Sequence, residues 1–275
     1  MTHRLFERDT VLAELDRVRR NSTTDGGRFV LLRGEAGVGK TAVLAEFIAG
    51  LSDQSAVLRG WCDPLSAPRP LGPLLDILTA MPEDAAAPIR SAIGVGDVET
   101  IYARLLDALG TKPPRVCVIE DIHWADGATL DLLRFLVRRI GRRPVLLVAS
   151  YRDDELGEQH PLSMLLGDLA TAPGMHRIGL ERLSVNAIAD LAAGTEVDAV
   201  ELFQLTGGNP FYATEVLAAG GATDLPRSVS DAVGGRLARL SVAGRQTAYA
   251  AAVCGPRATL DLIREMCVDA PTGLT

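Results

Sequence analysis

The sequence predicts an α/β protein: a parallel β-sheet flanked by helices, followed by a smaller helical region. Three observations carry this. Short apolar runs bounded by glycine or acids recur through the first 180 residues. Segments with helical periodicity separate them, so each connection is a crossover and the strands run parallel. After Leu180 the apolar runs stop and only helical periodicity continues.

In chain order, Val11, Leu12, Leu15 and Val18 recur at helical spacing within 9–20. "GRFVLLRG" (27–34) is a buried strand ending in glycine, and "KTAVLAEFIAGL" (40–51) the helix after it. "SAVLRG" (55–60) is a second strand. Helices over 70–78 and 98–109 follow, separated by a Pro- and Ala-rich stretch. "RVCVIED" (115–121) is a third strand, 127–140 a helix, "RPVLLVASYR" (143–152) a fourth strand and "MHRIGL" (175–180) a fifth. Helices are then expected over 184–194, 196–208, 210–219 and from 225 towards the C-terminus. Domain boundaries are expected near 180 and near 223.

Composition narrows the function. The 275 residues hold 47% hydrophobic and 23% charged side chains, enough for a sizeable core. A net charge of −7 argues against a duplex-binding face, and 4% aromatics against base-stacking surfaces. "RRIGRR" (138–143) reads as cations at a helix C-terminus. No apolar signal region opens the chain, and no run approaches the roughly 18 residues of a membrane span. The four cysteines and four histidines are scattered, without metal-ligand spacing. A cytoplasmic chain with reduced thiols is expected.

Residues 34–41, Gly34-Glu35-Ala36-Gly37-Val38-Gly39-Lys40-Thr41, match G-x-x-x-x-G-K-[ST] between a strand and a helix. Glycines let backbone N–H groups curl around an anion, and the following helix, entered through Ala42, aims its positive end at the same point. Lys40 adds a cation for the outer phosphates, and Thr41 a hydroxyl for Mg²⁺. A P-loop NTPase sheet that binds ATP or ADP with Mg²⁺ is the expectation. In "VCVIEDIHWAD" a buried strand ends in Glu120 and Asp121. Ligands of parallel sheets sit at the carboxyl ends of the strands, so both acids arrive beside the phosphates. One would serve the metal, as Thr41 does, and the other would orient or deprotonate the attacking water. Arg152, at the end of the next strand, either senses the terminal phosphate or pairs on the surface with Asp153 or Asp154. In "GGNPFY" (207–212) the glycines end one helix, Asn209 caps the next and Pro210 takes its first position.

Together these stretches resemble one family. "FERDTVLAEL", "GEAGVGKTAVL", "CDPLSAPRPLGPLLDI", "IEDIHWADGATLDLL", "ASYRDDEL", "LTGGNPFYATEVL" and "LPRSVSDAVGGRLARLS" are similar to the ATPase module of the large ATP-binding LuxR-type transcriptional regulators. Those belong to the STAND class of P-loop switches, related to AAA+ ATPases. The resemblance spans roughly residues 4–255, and the "CDPL…PRPLGPL" and "HWAD" stretches are its narrowest features. It implies a nucleotide-binding domain (1–180), a helical domain (181–223) and a partial winged-helix domain (224–275). It implies that Arg8 lies near the base or ribose, that Pro210 packs near adenine and that Arg152 is the first sensor. In such sheets the fourth strand lies between those carrying Lys40 and Glu120. Glu7 stands where glycine is common, and Glu120 where aspartate is the frequent metal-side acid. Family members continue into a helical sensor region and a helix-turn-helix, so this chain corresponds to a fragment of a longer regulator, without direct DNA binding of its own. Further regulator domains or a second copy of the ATPase module are the implied partners, and a membrane is not. The leading function is a slow ATP/ADP switch. The alternatives are an AAA+-type remodelling or DNA-loading ATPase and a nucleotide-binding scaffold with negligible hydrolysis.

Overall fold

Five apolar runs form one sheet. In the computed structural model of the chain, β1 (Arg28–Arg33), β2 (Ala56–Trp61), β3 (Arg115–Glu120), β4 (Val145–Tyr151) and β5 (Met175–Gly179) lie in the order β2-β3-β4-β1-β5. Every pairing is parallel. The structure describes residues 5–51, 56–157, 159–221, 226–255 and 258–268.

Helices cover both faces, which is why β3 and β4 are buried at every position and read as unbroken apolar runs. On β1 the alternation of a strand sorts side chains between two cores. Phe29 and Leu31 face the larger one, shared with α3 (Gly72–Thr79), α4 (Glu83–Val95), α5 (Val98–Leu109), α6 (Gly127–Val137) and α7 (Pro161–Asp168). Val30 and Leu32 face the other, built with α1 (Asp9–Thr24) and α2 (Lys40–Ala49). The chain leaves the sheet where the Leu180 N–H bonds the Arg33 carbonyl. A third core then joins α8 (Val185–Ala192), α9 (Ala199–Thr206) and α10 (Pro210–Ala218) around Leu183, Ile188, Leu202 and Val216.

Two helices depart from the sequence expectation. The Pro- and Ala-rich separator is α4, with Glu83 and Asp84 in its first turn and Ala86, Ile89 and Ala92 along a buried stripe. Pro88 reads as a breaker, but it removes one backbone bond near the helix start, and the burial of Ile89 beside it offsets that loss. α7 carries no strong periodicity; His160 caps it, Pro161 begins it, and Leu162 and Leu165 bury its face. The arginine cluster lies as its sequence suggests: α6 ends at Val137 with Arg138 as its cap.

Beyond residue 225 the described chain is α11 (Arg227–Arg239), α12 (Val242–Cys254) and α13 (Leu260–Val268). No strand is found among the described residues there, so the wing of a winged-helix unit is not among them. The expected boundary near 223 lies outside the described residues. These helices bury little, Val229 and Ala250 being their fully buried apolar side chains among the described residues. No described helix is long and apolar enough to cross a membrane.

Candidate functional site

The loop between β1 and α2 forms the floor of the site. Gly37 has φ +80, and a Cβ there would stand 2.8 Å from the Asn209 carboxamide oxygen and 2.9 Å from Cβ of Phe211. Gly39 caps α2 at φ +100, a left-handed conformation that side chains disfavour. Val38, fully buried between them, anchors the loop in the core. Lys40 is buried, and its ammonium donates to the carbonyls of Gly34 (2.7 Å) and Glu35 (2.9 Å). Burial pulls its pKa below the ordinary lysine value, against the opposing pull of Asp121.

The two acids differ. Glu120 is 1% exposed and both its oxygens are taken. The Thr41 hydroxyl donates to Oε2 at 2.8 Å, and Arg59 on β2 donates to Oε1 from Nε at 2.7 Å and forms an ion pair through a second guanidinium nitrogen. Asp121 is open to the cleft. Its backbone is left-handed at φ +58, and its N–H donates to the Ser150 hydroxyl at 3.1 Å. Burial raises its carboxyl pKa above the ordinary aspartate value, against Arg152 and Lys40. A non-glycine residue held at positive φ beside a ligand cleft is a common home of stored strain.

Arg152 follows β4, which lies between β1 and β3 as in the sheets the sequence resembles. It lines the cleft, yet its partner is neither acid the sequence suggests. Nη1 donates to Glu155 Oε1 at 2.6 Å, while Asp153 pairs with Arg33 and Asp154 with Arg236.

The cleft, about 540 Å³, lies between this loop and the helical region. Its opposite wall is apolar: Leu5, Leu183, Leu191, Pro210 and Phe211. Arg8, which precedes α1, also lines it; the buried guanidinium donates to the carbonyls of Val38 (3.2 Å) and Glu181 (2.9 Å). Of the candidate residues, Arg8, Gly37–Ala42, Asp121, Arg152 and Pro210 share the cleft. Glu120 sits behind Thr41. Gly34, Glu35 and Ala36 lie to one side, where their polar groups serve the protein. Glu35 is held by Arg182 and by the Asn209 amide (2.7 Å), which also donates to the Ala36 carbonyl (3.0 Å). The Phe211 N–H donates to the Gly37 carbonyl (3.2 Å). The start of α10 is thus bonded directly to the loop. Asn209 does cap α10, but nothing local in the sequence signals this second task.

A hard divalent cation fits the donors present. Thr41 and Glu120 bring oxygen ligands together and Asp121 is adjacent, the sparse protein set that magnesium uses when phosphates and water complete its shell. No cluster of three or more His, Cys, Asp or Glu side chains suited to a metal occurs among the described residues.

Comparison with known proteins gives the family and the fold. The family model described as AAA ATPase domain matches residues 4–148. An uncharacterized protein of Rhizobium meliloti (strain 1021) is 26% identical over 297 aligned residues, covering 88% of this chain and 29% of that protein. The chain therefore spans under a third of that relative's length. Among solved structures, the Walker-type ATPase PABY2304 of Pyrococcus abyssi superposes with a TM-score of 0.59 at 13% identity, covering 98% of this chain and 86% of that one. Cdc6p of Pyrobaculum aerophilum superposes with a TM-score of 0.50 at 15% identity, covering 96% and 80%. At such identities the likeness is one of fold.

Proposed function

The chain belongs to the AAA ATPase domain family, and from that premise we propose that it is an ATP/ADP switch: an ATPase module that turns over slowly and reports the state of its nucleotide through its helical region. The observation that carries this reading is the direct bonding of α10 to the phosphate loop, through Asn209 to Ala36 and Phe211 to Gly37. A ligand shifts a conformational equilibrium only through a difference in free energy between states. ATP and ADP differ at the terminal phosphate, so a group that touches it must connect to something that moves.

In this reading the amides of Gly37–Thr41 and the Lys40 ammonium hold the phosphates. Thr41 and the Glu120 Oε2 that it bonds would hold Mg²⁺, which would neutralise charge on the phosphate oxygens. Asp121 orients and deprotonates the attacking water, because its carboxyl faces the cleft while that of Glu120 is occupied. Arg8 lies near the base or ribose, and Pro210 packs with Leu5 and Phe211 against adenine. Arg152 leaves Glu155 for the terminal phosphate when ATP is present. Residues 1–180, 181–223 and 224–275 serve as nucleotide-binding, helical and partial winged-helix domains. The resemblance to LuxR-type regulators makes a cytoplasmic transcriptional regulator the parent protein, with further domains as partners.

Nucleotide content and turnover test this. Mass spectrometry of denatured protein is expected to find ADP or ATP retained through purification. Steady-state hydrolysis is expected far below the roughly 10 s⁻¹ of a typical enzyme, and unchanged by duplex DNA. Fast, DNA-stimulated turnover would instead mark a remodelling or loading ATPase. Arg152→Ala is expected to compress the difference in limited proteolysis of residues 175–225 between ADP and a non-hydrolysable ATP analogue, with ADP affinity nearly unchanged. An arginine–phosphate bond made in one state only is worth about 1.5–3 kcal/mol. A full wild-type difference in the variant would remove Arg152 from the switch.

A further inference from the structure

The apolar wall of the cleft holds few polar side chains. Among the described residues that line it, Arg8 and Thr214 are its polar members. Arg8 is a donor, and its guanidinium is spent on the carbonyls of Val38 and Glu181. Thr214 differs. It lies four residues after Pro210 on α10, so the two side chains share one face of the helix. α10 begins at the phosphate loop, where the Phe211 N–H meets the Gly37 carbonyl. Thr214 therefore stands about 6 Å farther from that loop along the helix axis than Pro210 does. A base carried beyond phosphates on the loop would meet this part of the wall. The Thr214 hydroxyl proton is committed: Oγ1 lies 2.9 Å from the Pro210 carbonyl oxygen and 2.9 Å from that of Phe211, the back-bonding of a helical threonine. A hydroxyl carries one proton and two lone pairs. With its proton given to the backbone, this oxygen can only accept from a ligand in the cleft.

We propose that Thr214 is a specificity-determining residue: its hydroxyl oxygen accepts from the 6-amino group of adenine and so selects adenine over guanine nucleotides. This rests on the reading of the cleft as a nucleotide site with its base against Pro210. Adenine carries a donor at position 6, an exocyclic amino group. Guanine carries a carbonyl there, which is an acceptor. An oxygen that can only accept bonds the first and sets lone pair against lone pair with the second. The apolar side chains cannot draw this distinction, because the two purines offer them nearly equal area. The phosphate loop cannot draw it either, since ADP and GDP present the same phosphates. A polar group that matches one hydrogen-bonding pattern rejects the ligand that leaves it unpaired. Thr214 is exposed, so the bond replaces one to water and its gain is that of a neutral hydrogen bond.

Purine riboside 5′-diphosphate is ADP without the 6-amino group, and it is the probe. Calorimetric titration of the wild-type protein is expected to show ADP binding about threefold to tenfold tighter than this probe, the scale of one neutral hydrogen bond. Thr214→Val keeps the shape and removes the oxygen. It is expected to bind the two nucleotides equally, with its affinity for the probe within about twofold of the wild-type value. Thr214→Ser keeps the hydroxyl and should keep the preference. A preference that survives in Thr214→Val would give the amino group to another acceptor and overturn the proposal. GDP binding as tightly as ADP in the wild-type protein would overturn it as well. Lys40→Ala separates the two layers. If ADP and the probe bind the wild-type protein equally and Lys40→Ala weakens both, the nucleotide site stands and selection by Thr214 fails. If neither nucleotide binds, or Lys40→Ala leaves both unchanged, the reading of the cleft fails and the proposal with it.

Discussion

The two walls of the cleft are built from different chemistry. The wall at the carboxyl ends of β1, β3 and β4 carries backbone amides, the Lys40 ammonium, the Arg152 guanidinium and the open Asp121 carboxylate. The wall made by the N-terminal segment and α8–α10 is mostly apolar, with Leu5, Leu183, Leu191, Pro210 and Phe211, and carries Arg8 and Thr214 as its polar members. Phosphate and magnesium demand particular atoms at particular distances, because charge and hydrogen bonding fall away steeply with geometry. An aromatic base demands apolar area, which many residue combinations supply equally. Single substitutions should therefore have large, step-specific effects on the first wall and small, diffuse ones on the second.

The largest effect is expected at Asp121. If it positions and deprotonates water, Asp121→Asn should lower single-turnover hydrolysis by about 10²-fold or more while calorimetry shows unchanged ADP affinity. Glu120→Gln should also slow turnover but raise the Mg²⁺ concentration needed, since it sits with Thr41. A raised Mg²⁺ requirement in Asp121→Asn and not in Glu120→Gln would reverse the assignment of the acids. Next comes Lys40→Ala, which removes the loop's ammonium. Nucleotide affinity should fall by about tenfold to a hundredfold, on the scale of a lost charged hydrogen bond; an unchanged titration would detach the loop from phosphate. On the facing wall, Phe211→Ala should weaken ADP binding by about 1 kcal/mol, from partial loss of apolar cover, and leave kcat alone. A drop in kcat comparable to that of Asp121→Asn would break the contrast between the walls.

The same contrast explains what the sequence made legible. The first wall was readable because Gly34 to Thr41 and the acids after β3 occupy fixed spacings set by one strand and one turn. Arg59 was not, although it holds Glu120. Its role depends on the register of β2 against β3, which pairs Arg59 with Val118 and sets it on the same face as Glu120. No local pattern encodes that register. His123 was visible within the "HWAD" stretch, but that neither of its ring nitrogens finds a hydrogen-bond partner among the described residues is a property of the folded interior. The second wall offered only apolar periodicity, which looks the same in any helical bundle. α4 was hidden because Pro88 outweighs its neighbours in a local reading and the burial of Ile89 does not appear in one. The parallel sheet and its helical layers were legible throughout, because unbroken apolar strands between amphipathic helices leave few other ways to fold.

Glu7 sharpens the comparison at its smallest scale, since it joins the two walls without touching chemistry. Its φ is +54, which gives a physical reason for glycine at the equivalent place in the family the sequence resembles. Here glutamate accepts the strain and uses its side chain. Oε2 accepts from the backbone N–H of Ser184 at 2.9 Å and Oε1 from the Ser184 hydroxyl. Ser184 is the cap of α8, its oxygen accepting from the Ala187 N–H at 3.2 Å. The bonds from Ser184, hydroxyl first, hold the Glu7 carboxyl below its ordinary value of 4.5. A carboxyl with a lowered folded-state pKa adds stability that is present above its unfolded pKa and lost as pH falls through the folded one. Glu7→Gln keeps the strained backbone and loses the charge. It should cost under about 1 kcal/mol at pH 7, the range of solvent-screened pairs. Its gap from wild type should close as pH drops below 4.5. Glu7→Gly loses both bonds from Ser184 but regains the left-handed conformation, worth about 1 kcal/mol, so its stability should not change with pH through this site. Denaturant midpoints at pH 7 and pH 3.5, with hydrogen exchange at the start of α8, measure both. A gap that widens in acid would mean that the Glu7 carboxylate does not clamp Ser184.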